Sequence, residues 1–232
     1  LRDGGYYNRW DFDIDLINRY IHAVSAAGVD FIELGFRSIK NNEYYGPLAY
    51  TTDNFIFDLN IPDNIQIGIM INASEFKNSK FLESNLVKIF PIEASKSQLS
   101  LVRIATSFSE IDIAIKIGRW LKAKKYKIAL NIMQVASLDS KQIEFFAEQS
   151  SLIDPEVLFF ADSTGTLTSD HIISIINSIK SKWKGEIGIH AHDNMQRALT
   201  NTIEATANGV KWLDCTVNGM GRGPGNTKTE DL

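Results

Sequence analysis

A closed, parallel (β/α)₈ barrel is the fold class this sequence predicts, and three observations point to it. Short β-branched or aromatic runs alternate with segments of helical period along the whole chain, the pattern of parallel strands joined by crossover helices. Counting a stub at 1–3, there are eight such runs. No Ser/Gly linker or low-complexity tract interrupts them, so residues 1–232 read as a single catalytic domain. An open, doubly wound sheet is the other architecture that alternation allows, because periodicity alone does not prove closure.

The stub carries one apolar residue, Leu1, before the charged pair Arg2 and Asp3, so the first strand is clipped. The chain is therefore read either as part of a longer natural protein or as a piece cut close to the domain's edges. A helix follows with Ile14, Ile17, Ile21 and Val24 at spacings of three and four, and Gly28 suits its C-terminal cap. The next strand spans 29–35. The stretch 36–64 carries Tyr44, Tyr45, Gly46 and Pro47 and reads as a long loop with a short helix. Further strands are expected at 66–71, 99–106, 127–133, 156–162, 186–193 and 211–218. Helices are expected at about 109–124, 139–150, 168–182 and 195–208, the first two following Ser109 and Asp139 and the third opening at Thr168. Ile111, Ala114, Ile115, Gly118 and Leu121 make one apolar stripe; Ile172, Ile173, Ile176 and Ile179 make another.

Composition removes whole classes of function. Hydrophobic residues make up 44% of the chain, enough for a real core and too many for a disordered segment. The 24 Lys and Arg against 28 Asp and Glu give a net charge of −4 without like-charge blocks, so neither nucleic acid nor an anionic membrane is an expected partner. Cys215 stands alone, which excludes an intrachain disulfide framework and fits a reducing, cytoplasmic setting. No apolar run approaches the roughly 20 residues that span a bilayer, and no signal segment is visible.

Alternation along strands picks out the residues able to carry chemistry. In 187–192 the side chains of His190 and His192 share one face, opposite Ile187, Ile189 and Ala191, at the C-terminal strand end where barrels place their active sites. Two neutral imidazoles there, followed by Asp193 and Asn194, favour metal binding over a pair of structural core histidines. By the same alternation Glu33, Arg103, Asn131 and Asp214 each face the interior where a structural barrel would prefer a branched apolar residue. Buried charges need partners, so ion-paired structural roles stay open for Glu33 and Arg103. His22 and His171 fall on helices, and Cys215 faces the helical layer as an inert thiol.

Leu1-Arg2-Asp3-Gly4, His190-Ala-His192-Asp-Asn194 and 218–226 (NGMGRGPGN) occur in an order that resembles the DRE-TIM metallolyase, or HMG-CoA lyase-like, superfamily of TIM-barrel lyases and condensing enzymes. Residues 102–106 (VRIAT) and 161–165 (ADSTG) are most similar to its 4-hydroxy-2-oxovalerate aldolase branch. The resemblance implies a divalent metal, Mn²⁺, Mg²⁺ or Co²⁺, held by Asp3, His190 and His192. It implies that Arg2 stabilises an enolate oxygen, that Glu33 holds Arg2, and that Ser163 contacts the substrate carboxylate. Glu33 and Arg103 are placed with Ser163 among the substrate-binding residues, and Asn226 matches a position that supports the metal in some relatives. One carboxylate and two imidazoles leave about half of an octahedral shell open for a 2-oxoacid and water.

The glycine-rich 219–225 follows the last strand and is no dinucleotide loop; it is either a tight loop over the site or a barrel-closing turn. One position departs from both branches. The aldolases carry a histidine acid/base where this chain has Tyr6, and the acyl-CoA-dependent enzymes carry Glu-Gln where it has Gly5-Tyr6. Tyr6, its pKa lowered by nearby positive charge, is the expected proton carrier, with metal-bound hydroxide or a group outside this chain as the alternatives. The resulting expectation is a metal-dependent aldolase that makes or breaks 4-hydroxy-2-oxoacids through a pyruvate enolate, with a 2-oxoacid and an aldehyde as its small-molecule partners. The rivals are a Claisen-type acyl-CoA/2-oxoacid transferase and a non-catalytic metal-binding barrel. Barrels of this type usually form homo-oligomers, although no surface stripe marks an interface.

Overall fold

Strand–helix alternation dominates the chain as its pattern requires. A computed structural model describes residues 1–40, 43–77 and 79–232. In order, it forms α1 (Ile14–Ala26), β1 (Phe31–Phe36), α2 (Asp53–Phe57), β2 (Gln66–Asn72), α3 (Leu82–Ile89), β3 (Leu99–Thr106) and α4 (Ile111–Ala123). The second half contributes β4 (Ile128–Ile132), α5 (Ser140–Ser150), β5 (Val157–Asp162), α6 (Ser169–Lys182), β6 (Glu186–Ala191), α7 (Ala198–Ala207) and β7 (Trp212–Leu213). All seven strands pair in parallel, in the order β1-β2-β3-β4-β5-β6-β7, forming a curled sheet of the half-barrel kind.

Local chemistry sets the helix ends. The Asp13 side chain accepts from the N–H groups of Asp15 and Leu16 at the start of α1, and Gly28 turns the chain after it with φ +85°. Asp139 and Thr168 cap α5 and α6, each within a reciprocal capping box. The expected cap at Ser109 is instead Ser107, which with Glu110 closes a capping box on a 3₁₀ turn leading into α4. Helix α3 was not expected from the sequence; its signal at helical spacing is only Leu82, Leu86 and Ile89, and only Leu86 of its side chains is buried.

The sheet's two faces sort the core. Ile67, Ile69, Ile71, Val102, Ile104, Leu130, Leu158, Phe160, Ile187 and Ile189 pack outward against Ile17, Ile21, Ile115, Leu121, Ile172 and Ile176 of the helices. On the concave face, Leu101, Ala129, Val157 and Phe159 with Phe31 and Trp212 form a lower apolar layer, and Phe36, Met70 and Ala105 with Trp10 and Met133 form an upper one. Between these layers, by alternation, come Glu33, Arg103, Asn131, His190 and Asp214.

Two expectations about closure are corrected. Residues 1–3 form no strand: the Arg2 N–H donates to the Glu33 carbonyl at 3.1 Å, and Gly4–Tyr7 then turns into a 3₁₀ helix. The strand expected at 211–218 shrinks to two residues paired with Gly188 and Ile189, because the chain then leaves β6 and turns into a 3₁₀ helix at Val217–Gly219. A cavity of about 660 Å³ lies between β1 and β7, lined by residues from Asp30 and Lys211 up to Asp3 and Asn226. Among the described residues no helix is long and apolar enough to cross a membrane. His22 and His171 are exposed on α1 and α6, and Cys215 lines the cavity with Tyr20 of α1, its thiol pKa pushed up by burial.

Candidate active site

The concave polar layer closes into a ring of hydrogen-bonded and ion-paired side chains. Arg2 bonds Asp3 through Nη1 and Glu33 through Nε at 3.0 Å. The other Glu33 oxygen accepts from Arg103 at 3.3 Å. Arg103 also donates to Asp214 at 2.6 Å and to Asn131 at 2.9 Å, and its guanidinium lies 3.7 Å from the Phe159 ring centre. Asp214 Oδ2 sits 2.8 Å from His190 Nδ1, and His190 Nε2 lies 3.5 Å from Asp3 Oδ2, which completes the circuit. Arg2, Asp3, Arg103 and His190 are all buried, so each polar group depends on its neighbours rather than on water.

That dependence shows in the titration of the groups. Burial works against an ionised Asp3, but Arg2 and the two histidines outweigh it and hold its carboxyl below the usual range. Burial likewise opposes the Arg2 charge, and Asp3 with Glu33 reverses that, so Arg2 stays protonated. The Asp214 carboxyl would rise through burial, yet Arg103 and the His190 hydrogen bond hold it well below its normal value. His192 is pulled down to about 4, first by burial and then by His190, which leaves it neutral at pH 7.

The acceptors around the two rings fix their tautomers. His192 Nδ1 faces the Gly225 carbonyl at 3.1 Å, an acceptor only, so Nδ1 carries the proton and Nε2 the lone pair. A carboxylate does the same for His190, whose neutral form then turns an Nε2 lone pair toward Asp3. Asn226 donates to Asp3 Oδ2 at 3.0 Å, while its own Oδ1 is buried without a hydrogen-bond partner. Electron-rich atoms thus gather around Asp3 with an unsatisfied oxygen among them, a donor set that suits a hard or borderline divalent cation. Among the described residues no three His, Cys, Asp or Glu side chains form a ready-made metal cage, because the Asp3 oxygens are turned to Arg2 and Asn226.

Other expected residues lie around this ring rather than in it. Tyr6 is 43% exposed at the mouth, its ring 4.8 Å from that of Trp10 and 6.3 Å from that of Phe36. Partial burial pushes its phenol up despite Arg2 and Arg222, opposite to the lowering expected from the sequence. Ser163 follows β5, and its Oγ accepts from the Gln134 N–H at 2.9 Å, a bond that leaves its own proton available. The 219–225 segment folds over the site: the Tyr7 hydroxyl donates to the Gly221 carbonyl, and an added Cβ on Gly221 would meet the Asn226 amide at 2.4 Å. Asp214 was placed inside by alternation but given no role; the missing signal was its level with His190, set by the Asp214 N–H donating to the Ile189 carbonyl at 3.0 Å.

The HMGL-like family model matches residues 88–232, which include β3 to β7, both histidines and Asn226. The chain belongs to the HMGL-like family. It is 22% identical to an oxaloacetate decarboxylase of Mycobacterium tuberculosis over 234 residues and 27% identical to a 4-hydroxy-2-oxovalerate aldolase of Geobacillus thermodenitrificans over 240 residues. All of this chain is aligned in both cases, and it spans 66% of each relative's length. The crystal structure of the N-terminal domain of a presumed aldolase from Bacteroides vulgatus superposes with a TM-score of 0.86 at 30% identity, covering 99% of this chain and 74% of that one. Hydroxymethylglutaryl-CoA lyase of Pseudomonas aeruginosa, 18% identical with a TM-score of 0.76 over 99% of this chain and 80% of its own, shares the HMGL-like fold.

Proposed function

We propose that this chain is the catalytic barrel of a divalent-metal-dependent carbon–carbon lyase that cleaves or forms 4-hydroxy-2-oxoacids through a pyruvate enolate. The observation that carries the reading is the gathering of Arg2, Asp3, His190, His192 and Asn226 at the C-terminal end of the strands. Asp3 and the Nε2 atoms of His190 and His192 would hold the ion, with Asn226 Oδ1 beside them. The metal would polarise the 2-oxoacid and favour its enolate form.

This chain's own groups do the rest. Arg2 is fixed through Nη1 and Nε, while Nη2 has no protein partner among the described residues and is left to donate to the developing enolate oxygen. Glu33 holds that guanidinium from behind and is itself held by Arg103. Ser163 has a proton to offer the substrate carboxylate. Tyr6, protonated at rest, hands its proton to the aldehyde oxygen in the condensing direction; cleavage starts from its phenolate form, which takes the 4-hydroxyl proton as the carbon–carbon bond breaks.

The raised Tyr6 phenol favours a second reading, decarboxylation of oxaloacetate, the activity named for the mycobacterial relative. There the C–C bond electrons pass into the enolate as carbon dioxide leaves, and the only proton needed is one delivered to the enolate carbon. Nothing in Gly5-Tyr6 supports the acyl-CoA transferase alternative. Manganese-loaded protein incubated with 4-hydroxy-2-oxoacids and, separately, with oxaloacetate distinguishes the readings: pyruvate plus aldehyde supports the aldolase, pyruvate plus carbon dioxide supports the decarboxylase. Pyruvate from neither substrate class leaves the non-catalytic barrel.

A further inference from the structure

We propose that Asp214, clamped by Arg103, is the positioning residue that sets the tautomer and direction of His190. The inference rests on the proposed metal-dependent function for its purpose, and on the interior hydrogen bonds for its substance. Asp214 follows β7, and its backbone N–H is tied to Ile189, the residue before His190 on β6. Its Oδ2 receives both Arg103 at 2.6 Å and His190 Nδ1 at 2.8 Å. Arg103 itself cannot swing away: Glu33, Asn131 and the Phe159 ring hold it on three sides. The Phe159 ring in turn lies over Gly188, where an added Cβ would be 2.3 Å from ring carbons.

An ionised carboxylate only accepts, so the proton of neutral His190 belongs on Nδ1 and the lone pair on Nε2, the atom that faces Asp3. Without that acceptor the imidazole is free to rotate or to protonate Nε2, and a ring protonated there presents a hydrogen where a ligand atom is needed. A carboxylate behind a ligating histidine is a recurrent way of orienting the ring and raising its basicity. Here the carboxylate is itself held by a buried arginine, so the whole interior ring, from Glu33 to Arg103 to Asp214, bears on one nitrogen atom.

The test reads the tautomer directly, by long-range ¹H–¹⁵N correlation on metal-free, ¹⁵N-labelled protein at a pH high enough for the His190 ring to be neutral, with manganese affinity measured in parallel by electron paramagnetic resonance. Wild-type His190 should be protonated at Nδ1. Asp214→Asn keeps an oxygen in place and should keep that tautomer, losing less than about 10-fold in manganese affinity, whereas Asp214→Ala should shift the proton to Nε2 and weaken manganese binding by about 10–100-fold. Because Asp214→Ala strands a buried arginine, the double variant Arg103→Met/Asp214→Leu serves if the single one does not fold, with the same expected shift. A wild type protonated at Nε2, or an acceptor-free variant that keeps the Nδ1 proton and full manganese affinity, overturns the proposal. Should the tautomers follow expectation in a wild type that binds no manganese, the metal reading fails while the Asp214–His190 assignment stands.

Discussion

Arg2 shows how much a single residue does in this site, since one guanidinium braces Glu33, touches Asp3 and keeps an unpaired edge. If that edge serves the transition state, Arg2→Ala should lower turnover by about 10²–10³-fold while metal content, read by elemental analysis, changes little. Loss of the metal with the arginine would recast Arg2 as an orienting group for Asp3. Tyr6→Phe removes only the hydroxyl and should lower pyruvate formation by about 10²-fold, in keeping with the loss of one acid/base group. Proton exchange at the methyl group of bound pyruvate then separates the readings: an aldolase keeps it, whereas a decarboxylase that uses Tyr6 to protonate that carbon loses it. The phenol lies above its ordinary pKa of 10.0, so its proton-donating form persists at all lower pH values and no Tyr6-dependent fall in the condensing reaction is expected between neutrality and pH 10, whereas cleavage, which needs the phenolate, should quicken as pH rises. Residues of this kind were legible where a side chain breaks a strand's apolar alternation, as with His190, His192, Glu33 and Arg103. Alternation states which face a residue takes, not whom it meets, and so it could not show that Arg103 spends its donors on Glu33, Asn131 and Asp214.

At the scale of elements, strand interiors were legible and strand ends were not. The run at 99–106 matches β3 to the residue, because every position from Val102 to Ala105 is paired with a strand on both sides. The run at 211–218 shares the same alternation but pairs with the sheet at Trp212 and Leu213 and beyond them makes an isolated bridge from Thr216 to Lys228, which local sequence does not reveal. Close approach of backbones is equally invisible in a pattern. Gly35 lies in the irregular part of β1, where an added Cβ would stand 1.9 Å from the Leu48 carbonyl oxygen, whereas one on Gly68 would meet nothing nearer than 3.6 Å. Gly35→Ala should therefore cost about 1–3 kcal/mol or more, the range for overpacking, and Gly68→Ala should cost clearly less, as denaturant melts will show. The capping box before α4 offers a pH test. Hydrogen bonds from Lys77 and Ser107 outweigh the burial that opposes an ionised Glu110 and bring its pKa below the ordinary 4.5. A depressed folded-state pKa stabilises above 4.5 and stops doing so as pH falls through the folded value. Glu110→Gln keeps the box but not the charge, so its deficit against wild type should shrink as pH drops below 4.5.

For the whole molecule, three parts of the chain distant in sequence meet at one point: Asp3 from the start, His190 from β6, and Asn226 from the loop over the site. The curl of the sheet brings them together, yet β1 and β7 do not pair, so side chains rather than a strand ladder join the two edges there. A cation shared by Asp3, His190 and His192 would therefore act as a clasp between segments nearly 190 residues apart, besides any part it takes in chemistry. Ligand linkage gives the size of the effect: at free metal 100 times its dissociation constant the folded state gains about 2.7 kcal/mol. For a domain of this length each kcal/mol moves the midpoint by about 2–4 °C, so saturating manganese should raise the melting temperature by about 5–11 °C over protein treated with a chelator. Asp3→Asn retains the shape and loses the charge, and its melting curve should respond little to manganese. His192→Ala should behave likewise, while His22→Ala, on the exposed face of α1, should shift as wild type does. Were wild type indifferent to manganese, magnesium and cobalt alike in calorimetry, the clasp would be absent and the buried ring of Arg2, Asp3, His190, Asp214, Arg103 and Glu33 would hold these edges by its own ion pairs.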